Sequence, residues 1–415
     1  APASTLSTAT IQAQVNKFVG ANGSNLARIA NDFGATLLPI SVHAGVEVRS
    51  DGDIMLKSDW NFVNYDSAAK PIGQAGNMAV DVTLRARGNL VLTGSLSDGF
   101  RSPSSNKSKP QALGTADLIL NRPGASFRLV AGADLTAGDP MKVSASASFG
   151  DVLIGKTGSN VFVRTNTGQI AVAAGRDVRL LNRQAVVFTT GLPQPLPITA
   201  NLSTGRNAFV ADGNLIQSPL LAHGRGIDIS ALRDVQGVSD ASTPQYGVDW
   251  WWRSGSIIDP SADTYWYSRY DKFQQGFATF GGGNLAVRAG RDISDVEAST
   301  PANGRIAGRR SDAESTPDSG SQNSGGAISF EAGRDIVAGF VLAGGQQAQL
   351  LAGHSIRANA DPKIVNKAVQ VLHGDTDIRA QTRRDLKLGH IAAAGLTSPT
   401  KQTGLTNSFP NYLIA

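Results

Sequence analysis

Apolar and polar positions alternate along this chain in short runs that break at a corner and then resume. The clearest run is GNLAVRAGRDI, from Gly283 to Ile293. Leu285 and Val287 alternate with polar or small neighbours, the period-two pattern of a half-buried strand. Ala289-Gly290-Arg291-Asp292 interrupts that pattern and Ile293 restores it, which predicts strand, corner, strand. The same plan recurs in VDVTLRARGNL ending at Leu90, SFRLVAGADL at Leu135, GQIAVAAGRDV at Val178, GAISFEAGRDI at Ile336 and QQAQLLAGHSI at Ile356. Looser copies are GVEVRSDGDI ending at Ile54, RGIDISALRDV at Val235 and TDIRAQTRRDL at Leu386.

The shortest step between copies, Ile336 to Ile356, is 20 residues. A unit that small cannot bury its own apolar face, so it must stack on its neighbours as repeat architectures do. Steps near 40 residues then read as two turns, one of them degenerate, and longer steps as loops that leave the stack. Taken at about 20 residues per turn and roughly 4.8 Å between turns, the repeats predict about 16 turns and a rod near 75 Å long.

The expected organisation follows the pattern. Residues 1–36 read as short helices or a cap, since Ile11, Val15, Phe18 and Val19, then Leu26, Ile29 and Phe33, fall at helical spacings. Residues 37–236 read as stacked coils with loop excursions. Among these are the polar RSPSSNKSKP and a Pro-rich piece carrying Pro193, Pro195 and Pro197, confined to an edge or an outside loop, with the stack resuming near Asn207. Residues 237–282 read as an aromatic-rich insertion, and 283–395 as further coils with a polar, mobile loop at 297–325. Residues 396–415 read as a tail.

Composition sharpens this reading. Gly at 46 residues and aromatics at 6% suit narrow coils with frequent corners. There is no cysteine, so disulfides, thiolate metal sites and a Cys nucleophile are excluded. Net charge is +5, with 38 basic and 33 acidic residues interspersed, a solvated surface rather than a nucleic-acid footprint. No apolar run approaches the roughly 20 residues that span a bilayer, and the start, APASTLSTAT, lacks a secretory leader.

Candidate chemistry is sparse. GDVLIGKT, Gly150 to Thr157, satisfies the phosphate-loop pattern, yet Val152, Leu153 and Ile154 are strand formers where that loop must open a helix. His43, His223, His354, His373 and His390 show no metal-ligand spacing, so neither a metal nor a cofactor is expected. Asp51 with Asp53, and Asp375 with Asp377, are the close acid pairs that a polysaccharide-cleaving β-helix would need beside a cleft. The Arg-Asp pairs at 176–177, 233–234, 291–292, 334–335 and 384–385 read as corners, in which Asp bonds its own backbone and Arg screens like-charged Asp from coil to coil.

The phrases GVEVRSDGDIMLKSDWNF, LRARGNLVLTGSLSDGF, TNTGQIAVAAGRDVRLLNRQAVVFTTG and DKFQQGFATFGGGNLAVRAGRDI resemble the large exoproteins of the filamentous haemagglutinin family, over most of residues 37 to 360. The resemblance implies an all-β fold, a right-handed parallel β-helix. It implies export through the outer-membrane transporter of a two-partner system and display, secreted or on the bacterial outer surface. The NPNL-type and VENN-type phrases of that family are absent, so the likeness is to an internal passenger segment.

The expected function is adhesive, a segment of a surface fibre without catalysis; the alternatives are a β-helical polysaccharide-degrading enzyme and the passive stalk of a toxin. Partners would be a host or neighbouring-cell protein or glycan, or further copies of the fibre, and not nucleic acid. Trp250, Trp251, Trp252, Tyr265, Trp266, Tyr267 and Tyr270 lie outside the repeats and are the candidate ligand-binding residues. The competing reading makes them a satellite core that anchors the insertion to the coil wall. Alternation would turn Trp251 inward and Trp250 and Trp252 outward.

Overall fold

In a computed structural model of the chain, the described residues are 45–63, 74–75, 78–102, 113–114, 117–144, 149–195, 209–211, 215–218, 220–238, 250–254, 264–274, 276–306, 320–323, 325–361, 368–374, 376–394 and 412–414. The expected helices or cap of 1–36 lie outside them. Nearly all regular structure is β, and three long parallel sheets run side by side along a single stack of coils. This is a parallel β-helix.

Sheet 1 holds nine strands, one per coil: Gly45–Ser50, Asp81–Ala86, Phe127–Ala131, Ile170–Ala174, Ile227–Ala231, Leu285–Ala289, Ile328–Ala332, Ala348–Ala352 and Ile378–Thr382. The nine repeat copies are these nine coils, so each copy is one turn whatever the step between copies. Coil length varies because excursions are inserted: the corner residues Asp335 and Ser355 are 20 residues apart, whereas Asn89 and Asp151 are 62 apart. The nine described coils give eight spacings and about 38 Å, half the expected rod.

Register explains the alternation. In sheet 1 the column Val82, Phe127, Ile170, Ile227, Leu285, Ile328 points inward, and Leu84, Leu129, Val172, Ile229, Val287, Phe330, Leu350 forms a second inward column beside it. A third column ends each strand with alanine, from Ala86 through Ala131, Ala174, Ala231, Ala289 and Ala332 to Ala352, where the chain turns and has no room for more. The corner glycine follows. A Cβ on Gly333 would meet the Gly290 carbonyl oxygen at 2.1 Å, and one on Gly353 would meet that of Gly333 at 2.1 Å. Coils at strand spacing therefore leave only glycine at that point in this stretch of the stack.

Sheet 2 carries the closing apolar residues, Ile54, Leu90, Val152, Val178, Val235, Ile293, Ile336 and Ile356, each at most 3% exposed. Coil 3 closes on Val152 and not on Leu135. The chain leaves the corner after Gly132 and is back at Gly150, and the two glycines touch so closely that a Cβ on Gly150 would lie 2.5 Å from the Gly132 Cα. Leu135 packs instead with Met141 and Val143 against Val130, Ala133 and Ala173 on the outside of sheet 1.

The Arg-Asp corners grip across coils. Arg176 binds Asp151, Arg233 binds Asp177, Arg291 binds Asp234 and Arg334 binds Asp292, each through Nε and Nη2, with Nε distances of 2.6, 2.7, 2.8 and 2.7 Å. The same carboxylates accept the next coil's backbone N–H, at 3.2 Å for Asp177 on Asp151 and 3.1 Å for Asp292 on Asp234. Asp53 to Asn89 N–H at 2.7 Å and Asn89 to Asp151 N–H at 2.9 Å extend the ladder downward. Arg thus bridges to the preceding coil's Asp, a stronger arrangement than the expected screening, because the bond is bidentate and its acceptor is buried at Asp151, Asp177 and Asp234. Burial pushes the Asp151 carboxyl up, but the bonds from Arg176 and the Asp177 N–H outweigh it and hold it below its ordinary value.

Several boundaries differ from the sequence expectation. The insertion rejoins the stack before residue 282, since Gly276–Thr279 is the sheet 3 strand of coil 5 and Phe277 pairs in register with Val187 and Ala298. The span expected as a loop holds the sheet 3 strand Glu297–Thr300, whose Ala298 points into the core, and the strands Asn303–Ile306 and Gly320–Asn323. Leu192–Pro193 pairs antiparallel with Leu221–Ala222 outside the coils, and coil 5 begins at Ile227 rather than near Asn207. In the expected tail, Tyr412–Ile414 pairs antiparallel with the last strand of sheet 3, Leu388–Ala394.

Candidate functional site

Through coils 3, 4, 5 and 7, sheet 3 has no wet face. Val161–Thr165, Ala185–Thr189, Gly276–Thr279 and Phe340–Ala343 are buried at every residue. Val163, Val187 and Phe277 point into the coil, so Phe162, Val186, Phe188, Ala278 and Leu342 point out of it and need a second cover.

The insertion supplies that cover. Trp250 is fully buried, with its ring 5.3 Å from Phe273 and 5.6 Å from Phe280, both edge to face. Phe188, on the coil wall, meets Phe100, Phe273 and Phe280 at 5.8, 6.3 and 5.7 Å. Trp251 is 6% exposed and donates its indole N–H to the Ala302 carbonyl at 3.0 Å. Trp266, Tyr267 and Tyr270 are buried as well, and Tyr270 donates its hydroxyl to the Asp117 carbonyl at 2.9 Å. Trp251 faces in as alternation implies. Trp250 does not face out, because it precedes the strand Trp251–Ser254 and lies outside its alternation. The side chains of Trp252 and Tyr265 lie outside the described residues.

One buried cation belongs to this second core. Arg164 is fully buried on the outer face of sheet 3, sandwiched between the rings of Phe100 and Phe162 at 4.4 and 4.6 Å. It pairs with Asp117 and donates to Ser97 Oγ and the Gly114 carbonyl, both at 3.0 Å. Burial lowers its affinity for its proton, and the Asp117 charge opposes that loss. A buried guanidinium held this way fixes the excursion carrying Gly114 and Asp117 against the coil wall.

Above the wall, two excursions share one sheet. Trp251–Ser254 and Thr264–Ser268 come from coil 5, and Asn303–Ile306 and Gly320–Asn323 from coil 6; together they form a four-stranded antiparallel sheet. Sequence reasoning located the aromatics but missed Phe188, Phe273, Phe280 and Arg164. A signal was present: AVVFT in Ala185–Thr189 is continuously apolar rather than alternating, as strands buried on both faces are.

Other candidate chemistry resolves into structure. Val152–Ile154 of the phosphate-loop pattern is a sheet 2 strand, Gly150-Asp151 is the coil 3 corner, and Lys156 is exposed in the turn that follows, with no helix opening there. Asp53 belongs to the ladder, Asp51 is exposed beside Arg87, and Asp375 lies outside the described residues. His354, Asp335 and Ser355 converge, but both partners meet the same ring nitrogen, Nδ1, at 2.9 and 3.3 Å. A catalytic relay needs one partner at each nitrogen. Here His354 stands where other corners place Arg.

An acid pair unseen in the sequence reading lies at the corner between sheets 2 and 3. Asp295 and Glu297 line a cavity with Asn182, Arg183 and Gln274, and it has room for about one water molecule, too little for a sugar ring. Burial, with the Asp295 charge adding and Arg183 opposing, pushes the Glu297 carboxyl up to about 8. Burial raises Asp295 too, against a bond from Asn359.

The fold and this second core define a parallel β-helix bearing an aromatic-anchored accessory sheet. No family model matches the chain, and neither do the curated proteins or solved structures.

Proposed function

We propose that this chain is a structural and adhesive segment of a secreted bacterial surface fibre of the filamentous haemagglutinin type, without catalysis. It would reach the outer cell surface through the outer-membrane transporter of a two-partner system. The observation that carries the reading is the accessory sheet, built from two excursions and seated on a core of its own over sheet 3. Such a platform holds side chains away from a rigid rod, where a host or neighbouring-cell protein or glycan, or another copy of the fibre, can reach them.

Trp250, Trp251, Trp266, Tyr267 and Tyr270 of the candidate set are taken up in packing, and recognition is assigned to the other two, Trp252 and Tyr265. The test is binding of the purified chain to cultured cells, to glycans and to itself. Replacing Trp252 and Tyr265 with Ala is expected to abolish binding with the unfolding midpoint unchanged. Binding that survives both substitutions moves recognition elsewhere, and release of sugars from a polysaccharide replaces the adhesive reading with the enzymatic one.

A further inference from the structure

Glu297 is out of place in its column. On the outer face of sheet 3 its register partner is Phe340, and the strand beneath begins at Gly276, where the insertion returns to the stack. The return is tight: Gly276 has φ +62°, and a Cβ there would lie 2.1 Å from the Glu297 carbonyl oxygen. Gln274 and Gly276 line the same small cavity as Glu297, so the root of the insertion and this residue share one corner.

Among the described residues the groups that face it are few. From the coil 4 corner comes Arg183, whose Nη2 is 3.9 Å from Glu297 Oε1, beyond hydrogen-bond distance, and is buried with no bond of its own among the described residues. From coil 6 itself comes Asp295, whose two oxygens each accept from Asn359 Nδ2 at 3.2 Å. The insertion root offers the neutral Gln274, and coil 7 the ring of Phe340. Glu297 thus sits in a crowded corner with one cation at arm's length and one competing acid.

We propose that the root of the insertion is a proton-operated latch, in which a neutral Glu297 lets Gln274 and Gly276 seat against coil 6 and ionisation of Glu297 loosens that seat. A charge there is largely desolvated and has no hydrogen-bonded partner among the described residues, and relief comes by letting more water in at the root. The sign follows from linkage. The folded chain holds this proton up to about pH 8, while the unfolded chain releases it near 4.5, so the stabilisation is complete below 4.5, falls as pH rises and is gone above 8. The latch is a property of the fold and does not depend on what the insertion recognises.

Four of the five tryptophans, Trp250, Trp251, Trp252 and Trp266, lie in the insertion, so tryptophan fluorescence of the full chain reads its seating. Titration from mildly acidic to mildly alkaline pH is expected to show a red shift with its midpoint near 8. Glu297→Gln should hold the acid-side spectrum across the whole range. Any pH response that does not involve Glu297 is common to both proteins and cancels. Arg183→Met removes the charge that opposes proton binding and should move the midpoint to higher pH, a readout that stands even if Glu297→Gln fails to fold. A flat titration of the parent chain, a transition that persists in Glu297→Gln, or a midpoint unmoved in Arg183→Met would each overturn the latch.

Discussion

Sheets 1 and 3 run through the same nine coils, yet they treat water in opposite ways. In coils 2 to 4 the outer face of sheet 1 carries the small cluster around Leu135, while from coil 5 onward its strands alternate buried residues with wetter ones, as in Ile227–Ala231 and Ala348–Ala352. Their outward residues include Asp228, Arg288, Glu331 and Gln349, which form exposed pairs or none. Sheet 3 turns Phe162, Val186, Phe188 and Leu342 outward under a second core. A solenoid needs only one apolar face per strand to close its coil, so the second face is free to report what lies on it. Here it reports a cover with a core of its own.

The difference is sharpest in matched substitutions. Phe188→Ala in the covered face is expected to cost about 3–5 kcal/mol, since it opens a cavity among Phe100, Phe273 and Phe280. Arg288→Ala in the open face should stay within about 0.5 kcal/mol, its ion pairs being half exposed. Denaturant unfolding of the two variants checks both, and equal costs would erase the distinction.

The corner ladder ranks next. Asp234→Ala strips Arg291 and the Asp292 N–H of their shared acceptor and should cost about 1–3 kcal/mol by the same measurement. The ladder also sets a direction with pH. Asp335, like Asp151, is pushed up by burial and pulled further down by its bonds, here from Arg357 and His354. A depressed folded value means stability present above the ordinary 3.8 and lost as pH falls below it. Thermal midpoints should therefore drop on acidification past that point, and less steeply in a Asp151→Asn, Asp335→Asn double variant. At the small end, Lys156→Ala should leave stability within about 0.5 kcal/mol and reveal no ATP affinity, checked by calorimetry. Micromolar ATP binding lost in that variant would reinstate the phosphate-loop reading.

What the sequence disclosed follows from which contacts are local. Leu285, Val287 and Ile293 announce strand, corner, strand because alternation and corner lie within eleven consecutive residues, and the register confirms every copy of the sheet 1 strand. Leu135 misled because AGADL mimics the corner while its leucine serves a small outer cluster, and Val152, the true closing residue, comes only after the excursion. Coil number went wrong for the same reason: the bare step of 20 residues is the exception, and excursions lengthen the others without adding turns. Trp250 and Glu297 were illegible in a deeper sense. Their surroundings, Phe280 and Phe273 for one and Arg183 for the other, are set by stacking distant coils or by the path of a loop, which no local pattern records.

The most direct test of the two-faced helix is amide hydrogen exchange after residues 239–274 are replaced by a short flexible linker. The covered face should then lose its shelter while the open face loses nothing. Amides of Ala185–Thr189, Gly276–Thr279 and Phe340–Ala343 in sheet 3 are predicted to exchange much faster, and those of Ile170–Ala174, Ile227–Ala231 and Ile328–Ala332 in sheet 1 to remain protected. Unchanged protection across sheet 3 in the shortened chain would contradict the account.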